Sequence, residues 1–358
     1  MKDLTARKGG RRARLKPKGR EVEPAALDEV QALIGAGPYR RDLLIEYLHR
    51  IQDACGHLSA ANMRALADLM ALSQAEVYEV ATFYAHFDVV KEGETPPPPL
   101  TVRVCDSLSC MMAGAHALKD AISAGTDPAA VRVVRAPCMG RCSTAPVCEI
   151  GHYSQDHATP GNVLAAIADG RHEPVIPDYP GLDSYLGNGG YEMLKKVRDG
   201  EPDLDMITAI LDEAGLRGLG GAGFPAGRKW QIVSGQAGPR LMTVNADEGE
   251  PGTFKDRYWL ERDPHRFFEG ALIAAEAVGV DRIYIYLRDE YPALHKILAT
   301  EIAALESEGL IDPDFIELRR GAGAYICGEK TAMLENLEGK KGMPRLKPPF
   351  PAAVGVYG

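Results

Sequence analysis

The chain has 358 residues, of which 45% are hydrophobic and 25% are charged, as in a globular protein of two or three domains. Its net charge of −9 argues against nucleic acid as the main partner. No window reaches the roughly 18 uninterrupted apolar residues of a membrane span, and the start has no apolar signal segment. We therefore expect a cytoplasmic protein without a membrane span.

Residues 1–23 are predicted to form a basic, disordered tail, because Lys and Arg face a single acid, Asp3, in this stretch before Glu21. A docking arm for an acidic partner subunit is the alternative. Residues 24–95 are predicted to be helical. Ser59 and Ser73 stand where helix N-caps belong, and Glu76 completes a capping-box spacing with Ser73.

A run of four prolines from Pro96 to Pro99 marks the start of the next unit, because neither a helix nor a central strand accommodates it. Residues 96–175 are predicted to form a small α/β domain of thioredoxin-like size, with strands at 101–104 and 131–134, a helix at 113–122 and a further strand near 145–150.

A Pro- and Gly-rich linker is predicted at 176–190, followed by a larger α/β domain at 191–358. Its predicted strands are 241–244 and 283–287, and its predicted helices include 271–278 and 293–305. Alternation of strands and helices indicates a largely parallel sheet.

Two cysteine pairs follow the predicted strands of the small domain, at the spacings Cys105-x4-Cys110 and Cys138-x3-Cys142. The spacing favours a [2Fe–2S] cluster over a Cys-x-x-Cys dithiol motif. A tetrahedral zinc site is the main competitor, and four unrelated buried thiols are the simplest alternative. The remaining cysteines are predicted to be structural: Cys55, Cys148 and Cys327.

A glycine-rich loop containing Gly218, Gly220, Gly221 and Gly223 matches G-x-G-x-x-G. A helix is predicted before it, whereas the ordinary dinucleotide fingerprint requires a strand there. Its backbone N–H groups are suited to approach a phosphate, with Lys229 supplying positive charge. A flexible loop without a ligand is the alternative.

Polar residues also follow the predicted strand 241–244, in the segment from Asn245 to Gly252. The carboxyl end of a buried strand is where α/β folds bind ligands, and the carboxylates suit the hydroxyls of a sugar alcohol or ribose. A solvated acidic turn is the alternative. A second glycine loop, 321–325, leads through Gly328 and Glu329 into a predicted helix at 331–337.

These segments resemble a known family. Residues 104–110 and 136–142, with the preceding Ala81-Thr82-Phe83-Tyr84, resemble the thioredoxin-like [2Fe–2S] subunit of complex I and its relatives. Four later segments resemble the FMN- and NADH-binding subunit, in the same order: 218–230, 245–257, 321–329 and 344–351. The implied fold is α/β, with an N-terminal helical segment and a thioredoxin-like [2Fe–2S] domain before a Rossmann-like FMN/NADH-binding domain.

The resemblance implies a role for particular residues. The implied [2Fe–2S] ligands are Cys105, Cys110, Cys138 and Cys142. The implied FMN contacts are Gly218, Gly220, Gly221, Gly223, Lys229, Asn245, Asp247, Tyr325, Gly328 and Glu329. The implied NAD(H) contacts are Phe224, Glu250, Lys347 and Phe350, with the two phenylalanines on either side of the adenine. No catalytic side chain is implied, because hydride passes directly between the nicotinamide and flavin N5.

The sequence departs from the family at two places. Lys330 stands where the family usually has a second glutamate after Glu329. The sequence also stops at Gly358, so the C-terminal part that carries a [4Fe–4S] cluster in the family is expected to be missing.

These motifs and the order of the domains predict that the chain is the beta, or diaphorase, subunit of a soluble NAD-dependent formate dehydrogenase. Such a subunit moves electrons between iron–sulfur clusters, FMN and NAD(H). The fused domains, the complete cysteine set and the stretch 106–109 favour this branch of the family. The implied partner is a molybdenum- or tungsten-containing catalytic alpha subunit with further iron–sulfur clusters. The alternatives are a diaphorase subunit of an NAD-reducing hydrogenase or a complex I-like NADH dehydrogenase, and a non-catalytic electron-wire or assembly module.

Overall fold

A computed structural model of the protein describes residues 19–220 and 222–358. Most of the predicted basic tail, residues 1–18, lies outside the described residues. The described residues form three parts, which are called the helical segment (24–90), the middle domain (100–168) and the C-terminal domain (182–358).

The helical segment contains four helices and a short parallel strand pair. Its elements are α1 (Pro24–Ile34), α2 (Leu44–Cys55), β1 (Leu58–Ser59), α3 (Ala60–Leu69), α4 (Gln74–Ala81) and β2 (Val89–Val90). The predicted caps are confirmed. The Ser59 side chain accepts a hydrogen bond from the Asn62 N–H, and Ser73 with Glu76 forms a capping box at the start of α4.

The middle domain is a four-stranded mixed sheet in the order β4-β3-β5-β6, flanked by helices. Its elements are β3 (Leu100–Cys105), α5 (Leu108–Met112), α6 (Ala115–Ala124), β4 (Val131–Ala136), β5 (Cys148–Ile150), β6 (Tyr153–Gln155) and α7 (Pro160–Ala168). The helix predicted at 113–122 is found as α6, which begins and ends two residues later, whereas α5 was not predicted. Gly114 has φ +89°, a left-handed conformation that ends α5 and separates it from α6.

The C-terminal domain is built on a three-stranded parallel sheet in the order β7-β8-β9. Its elements are α8 (Leu182–Gly187), α9 (Glu192–Arg198), α10 (Leu204–Glu213), α11 (Ala226–Ser234), β7 (Leu241–Ala246), α12 (Lys255–Arg262), α13 (Pro264–Val278), β8 (Arg282–Leu287), α14 (Pro292–Ser307), β9 (Ile316–Arg320) and α15 (Lys330–Leu337). Strand β9 was not predicted, because three of its five residues are charged. Helix α8 lies within the stretch predicted as a linker.

Strand β8 is buried on both faces. One face packs against the helical segment and the other against helices of the C-terminal domain, so the strand joins these two parts. Tyr284 and Tyr286 point into a core shared with α2, α3 and α4. Ile283, Ile285 and Leu287 point the opposite way, into a core shared with α13 and α14. The middle domain has a separate core around its own sheet. The helical segment is thus packed on the sheet that carries the predicted ligand loops.

In residues 19–220 and 222–358, every helix is too short or too polar to cross a bilayer.

Candidate cofactor site

The four predicted cluster ligands lie together at one edge of the middle domain. Strands β3 and β4 are parallel, so their carboxyl ends meet, which brings Cys105 next to the loop that holds Cys138 and Cys142. Cys110 lies in α5, directly after β3. The Cys138 and Cys142 sulfur atoms are 3.4 Å apart. A hydrogen bond between the Cys105 and Cys110 thiols raises the pKa of Cys105, and burial raises it further.

The pairwise arrangement of the cysteines tests which metal centre they fit. A tetrahedral zinc ion with Zn–S bonds of about 2.3 Å places all four sulfur atoms about 3.8 Å apart. Among the described residues, no three of these sulfur atoms lie within 4.8 Å of one another. Two separate close pairs suit a binuclear cluster, in which each iron takes two thiolates. The residues therefore fit a [2Fe–2S] cluster better than zinc.

The loop 138–142 packs directly against the C-terminal domain. The Gly252 N–H donates a hydrogen bond to the Cys142 sulfur, at 3.1 Å. The Arg257 Nε donates to the Gly140 carbonyl, also at 3.1 Å. Both donors follow β7, so the loop after β7 touches a predicted cluster ligand on one side.

Arg288 directly follows β8 and bonds both to the loop 138–142 and to the loop after β7. Its guanidinium donates to the carbonyl oxygens of Cys138 and Glu248, and its Nε donates to Glu290 at 3.0 Å. The side chain is 4% exposed. Two backbone carbonyls and a carboxylate thus satisfy a buried cation at the boundary between the two domains.

Gly140 is required by this packing. Its φ is +65°, and a Cβ atom there would lie 2.0 Å from the Tyr291 hydroxyl. Tyr291 begins the turn into α14, so a larger residue at position 140 would push the cluster loop away from the C-terminal domain.

The first glycine loop forms a closed turn that leads into α11. The Gly218 N–H donates to the Phe224 carbonyl at 3.1 Å, and the Ala226 N–H donates to the Leu216 carbonyl at 2.9 Å. A Cβ atom added at Gly218, Gly220 or Gly223 would meet no atom within 4 Å. Packing within the protein therefore does not demand these glycines, and their open backbone suits the approach of a phosphate-bearing ligand. Gly221 lies outside the described residues.

Asn245 links the end of β7 to the second glycine loop. Its Nδ2 donates to the Gly328 carbonyl at 2.9 Å, and its Oδ1 accepts from the Asp247 N–H at 3.0 Å. Burial raises the pKa of Asp247 to about 7, although the positive charge of Arg288 opposes the shift. Asp247 is thus poised to act as either a donor or an acceptor near neutral pH.

Glu329 caps helix α15. One carboxylate oxygen accepts from the backbone N–H groups of Thr331 and Ala332, at 2.8 and 3.0 Å, and the other accepts from Lys347 Nζ at 2.8 Å. Burial alone would raise the pKa of Glu329, but the hydrogen bonds from Lys347 and Thr331 lower it to about 2. The group is therefore ionised at neutral pH and fixes the start of α15.

Lys229 and Lys330 form a positive patch. Burial lowers the pKa of Lys229, and the charge of Lys330 lowers it further, so the two ammonium groups are close enough to repel each other. Lys229 lies in the first turn of α11, and Lys330 begins α15. Two helix N-termini with a lysine each favour an anion between them.

The predicted NAD(H) contacts are only partly brought together. The Tyr325 hydroxyl donates to the Glu250 carboxylate, and the Tyr325 ring lies against Gly249. Phe224 and Phe350 are 46% and 62% exposed. The two rings do not form an aromatic pair with each other in the part of the chain that the structure describes. Their placement around an adenine stays a prediction.

A cavity lies between the cluster loop and the second glycine loop. It is lined by residues that include Cys138, Asp247, Arg288, Ala322 and Tyr325. Arg288 and Tyr291 were not among the predicted site residues. Arg288 stands directly after a predicted buried strand, and the rule that ligand loops follow strand ends would have singled it out.

Two protein-family models match two separate parts of the chain. The family described as a thioredoxin-like [2Fe–2S] ferredoxin matches residues 30–171, and the family described as the Nuo51 FMN-binding domain matches residues 211–357. The chain contains a thioredoxin-like [2Fe–2S] domain followed by a Nuo51 FMN-binding domain. The predicted fold class is therefore confirmed, and so are the cofactors FMN, NAD(H) and [2Fe–2S] at the level of the domain families.

Individual relatives match one or both of these domains. The mitochondrial NADH-ubiquinone oxidoreductase 51 kDa subunit of Neurospora crassa is 48% identical over 167 residues, which are 43% of this chain and 34% of that protein. The NAD-reducing hydrogenase HoxS subunit alpha of Cupriavidus necator is 33% identical over 364 residues, covering 89% of this chain and 60% of that protein.

A solved structure extends the likeness to three dimensions. The crystal structure of an NAD+-reducing [NiFe]-hydrogenase in the air-oxidized state matches with a TM-score of 0.74 and 31% identity, over 88% of this chain and 57% of that chain. The match thus extends across more of this chain than either domain alone. The chain spans between about one third and three fifths of the length of these proteins.

Proposed function

We propose that the chain is the diaphorase part of a multi-subunit dehydrogenase, in which electrons move between NAD(H), FMN and a [2Fe–2S] cluster. The observation that carries the proposal is the contact between the two predicted cofactor sites. Asn245 lies near the end of β7 and Asp247 directly follows the strand, in the same loop whose Gly252 N–H donates to Cys142. Neighbouring sites of this kind suit electron transfer between them.

The chain's own residues would bind and orient the cofactors. FMN supplies hydride exchange with NAD(H) and release of single electrons. The open glycine loop and the positive patch of Lys229 and Lys330 would hold its phosphate, while Asn245 and Asp247 would face its hydroxyl groups. Glu250 and Lys347, which bond to Tyr325 and Glu329, would exchange these partners for NAD(H). No side chain is required to move a proton from the nicotinamide, so catalysis consists of positioning.

The first test is an optical and electron paramagnetic resonance study of the purified chain, with iron and flavin measured. The proposal expects two irons and one flavin per chain, and bleaching of both absorptions on addition of NADH. The variant Cys142→Ser is expected to lose the cluster signal and keep the flavin, whereas the buried Cys148→Ala is the matched control and should keep both. Iron without flavin would instead indicate a non-catalytic electron-wire module. Zinc in place of iron would contradict the cluster assignment.

For the whole complex, we propose a soluble, cytoplasmic NAD-dependent formate dehydrogenase with a molybdenum- or tungsten-containing alpha subunit. Its support is the resemblance of residues 106–109 to that branch of the family and the complete set of four cysteines. The likeness to the HoxS alpha subunit over 89% of the chain favours a second candidate, an NAD-reducing hydrogenase.

Purification of the native complex through a tag on this chain separates the two candidates. A formate dehydrogenase would contain molybdenum or tungsten and reduce NAD+ with formate. A hydrogenase would contain nickel and reduce NAD+ with H2. A complex with neither activity that passes electrons from NADH to a quinone would favour the complex I-like alternative.

A further inference from the structure

A group of histidines and carboxylates outside the cofactor sites lies where the helical segment meets the C-terminal domain. His49 and Asp53 are on α2, one turn apart, and His86 is in the loop after α4. One ligand atom from each of the three lies within 4.8 Å of the other two. The His49 and His86 side chains are buried, with residue exposures of 3% and 9%, and their ring centroids are 4.9 Å apart.

Each histidine has one nitrogen that is already bonded. His49 Nε2 lies 2.8 Å from the Gly321 carbonyl, and His86 Nδ1 lies 2.5 Å from the Asp289 carboxylate. Carbonyl and carboxylate oxygens only accept hydrogen bonds, so both of these nitrogens carry the proton. In the neutral form of each ring, the other nitrogen presents a lone pair.

Those two lone pairs have no partner. His49 Nδ1 and His86 Nε2 are both buried without a hydrogen-bond partner among the described residues. Two neighbouring buried acceptors without a donor are costly, because each has lost its bond to water.

We propose that His49 Nδ1, His86 Nε2 and a carboxylate oxygen of Asp53 bind a divalent transition-metal ion, with zinc as the expected ion. Neutral imidazoles and a carboxylate are ligands that zinc prefers. The fourth position is open to a water molecule or to His152, whose Nε2 is 4.0 Å from the Asp53 carboxylate.

The surrounding groups have the form of an outer shell for a metal. Histidine ligands usually donate their second N–H to a carboxylate or a backbone carbonyl, as His86 does to Asp289 and His49 does to Gly321. Arg320 donates to Asp53 at 2.6 Å and to Asp289 at 2.7 Å, which fixes both carboxylates. Two carboxylates and one guanidinium leave one net negative charge, which a cation would offset.

Binding requires an adjustment of the three side chains. Zinc bonds to nitrogen and oxygen of about 2.0–2.1 Å place tetrahedral ligands about 3.3 Å apart. One ring nitrogen of each histidine and one Asp53 oxygen already lie within 4.8 Å of one another, so side-chain rotations would bring the proposed ligand atoms to that spacing. The bound ion would tie α2 to the second glycine loop, because His49 holds Gly321 at the start of that loop.

The test measures metals in the full chain, purified with its iron–sulfur cluster, after growth with added zinc and removal of loosely bound ions. We expect about one zinc ion per chain beside the iron. X-ray absorption at the zinc edge is expected to show nitrogen and oxygen neighbours at about 2.0–2.1 Å and no sulfur neighbour at about 2.3 Å. This measurement needs no variant, so it decides the proposal even if the histidine variants do not fold.

Variants locate the ion. His49→Gln and His86→Gln are expected to lower the zinc content at least tenfold while the iron content is unchanged. His57→Gln is the matched control, since this half-buried histidine of the same segment bonds to the Cys55 carbonyl, outside the proposed metal site, and should keep the zinc. A chain without zinc, a zinc ion with sulfur neighbours, or zinc that persists in both variants would overturn the proposal. Iron and flavin are measured separately, so the result does not depend on the proposed diaphorase function.

Discussion

At the scale of single residues, the departure at Lys330 has a direct electrostatic consequence. Lys330 begins α15 and repels Lys229, so the patch carries two positive charges beside the open glycine loop. A glutamate at this position would reverse one of those charges at a helix N-terminus. The local charge, rather than the fold, therefore sets how strongly anionic ligands are attracted here.

We predict that Lys330→Glu raises the apparent KM for NADH by about threefold to tenfold, because the reversed charge beside the proposed FMN phosphate site repels the anionic dinucleotide that binds next to the flavin. Lys330→Gln should have a smaller effect in the same direction. Both effects should shrink in high salt, which screens exposed charges. Steady-state kinetics with an artificial acceptor provides the measurement. An unchanged KM in both variants would show that Lys330 does not act on NAD(H).

Asp247 supplies a second prediction at this scale. Burial raises its pKa to about 7 in the folded chain, whereas an unfolded aspartate titrates near about 3.9. Between about pH 4 and 7 the folded state keeps a proton that the unfolded state has lost, so stability falls as the pH rises through this window. Asp247→Asn removes this loss.

The difference in thermal midpoint between Asp247→Asn and the unmodified chain should therefore be larger, in favour of the variant, at pH 8 than at pH 5. The expected gain in relative stability is about 1–3 kcal/mol. Asp28→Asn, an exposed position on α1, is the control and should show no such trend. A constant difference between Asp247→Asn and the unmodified chain across this pH range would mean that the carboxyl group is already ionised at pH 5.

At the scale of elements, the carboxyl ends of strands organise the two cofactor sites. Strands β3 and β4 deliver three of the four cysteines to one edge of the middle domain, and β7 and β8 deliver the facing loop and Arg288. Hydrogen bonds from Arg288 connect the Cys138 carbonyl to the Glu248 carbonyl. Arg288 is thus a buried link between the domains, beside the hydrogen bonds from Gly252 to Cys142 and from Arg257 to Gly140.

We predict that Arg288→Ala slows reduction of the cluster by NADH at least tenfold and leaves the flavin content unchanged. The substitution removes the donors to both carbonyls and leaves Glu290 without its cation, so the cluster loop loses its fixed position. Arg282→Ala is the matched control, because Arg282 begins the same strand and pairs with Glu317 at 3.3 Å, away from the loops. Freeze-quench resonance spectroscopy measures the rate. Equal rates in the two variants would contradict the role of Arg288.

At the scale of the whole molecule, the helical segment belongs to the core of the C-terminal domain. Tyr284 and Tyr286 of β8 pack among its helices, and Arg319 of β9 is 1% exposed beside the carboxylates of Asp42 and Glu46. The domain that binds the flavin is therefore covered on one face by residues from the start of the chain.

Arg319→Leu is predicted to destabilise the chain by about 3–5 kcal/mol, because it leaves Glu46 without its cation and removes one of the two cations that pair with the buried Asp42. Arg198→Leu removes an exposed ion pair with Glu276 and should cost no more than about 1 kcal/mol. Thermal unfolding and limited proteolysis between the helical segment and the middle domain measure the difference. Similar losses of stability in the two variants would mean that the ion pairs of Arg319 with Asp42 and Glu46 do not join the helical segment to the C-terminal domain.

Much of this protein follows from the sequence alone. The capping residues Ser59 and Ser73, the strands 101–104, 241–244 and 283–287 and the cysteine spacing are local patterns, and local patterns determine local structure. The resemblance to the two domain families rests on equally local motifs. The fold class and the cofactors could therefore be predicted from the order of residues along the chain.

Only the tertiary structure decided how these parts meet. The role of Arg288, the packing of Tyr291 on Gly140 and the group formed by His49, Asp53 and His86 join residues that are far apart in the chain. A single sequence records which residues are present, but not which distant residues become neighbours once the strands are ordered in a sheet. Contacts of this kind arise from packing of whole elements against one another, so no local pattern reveals them.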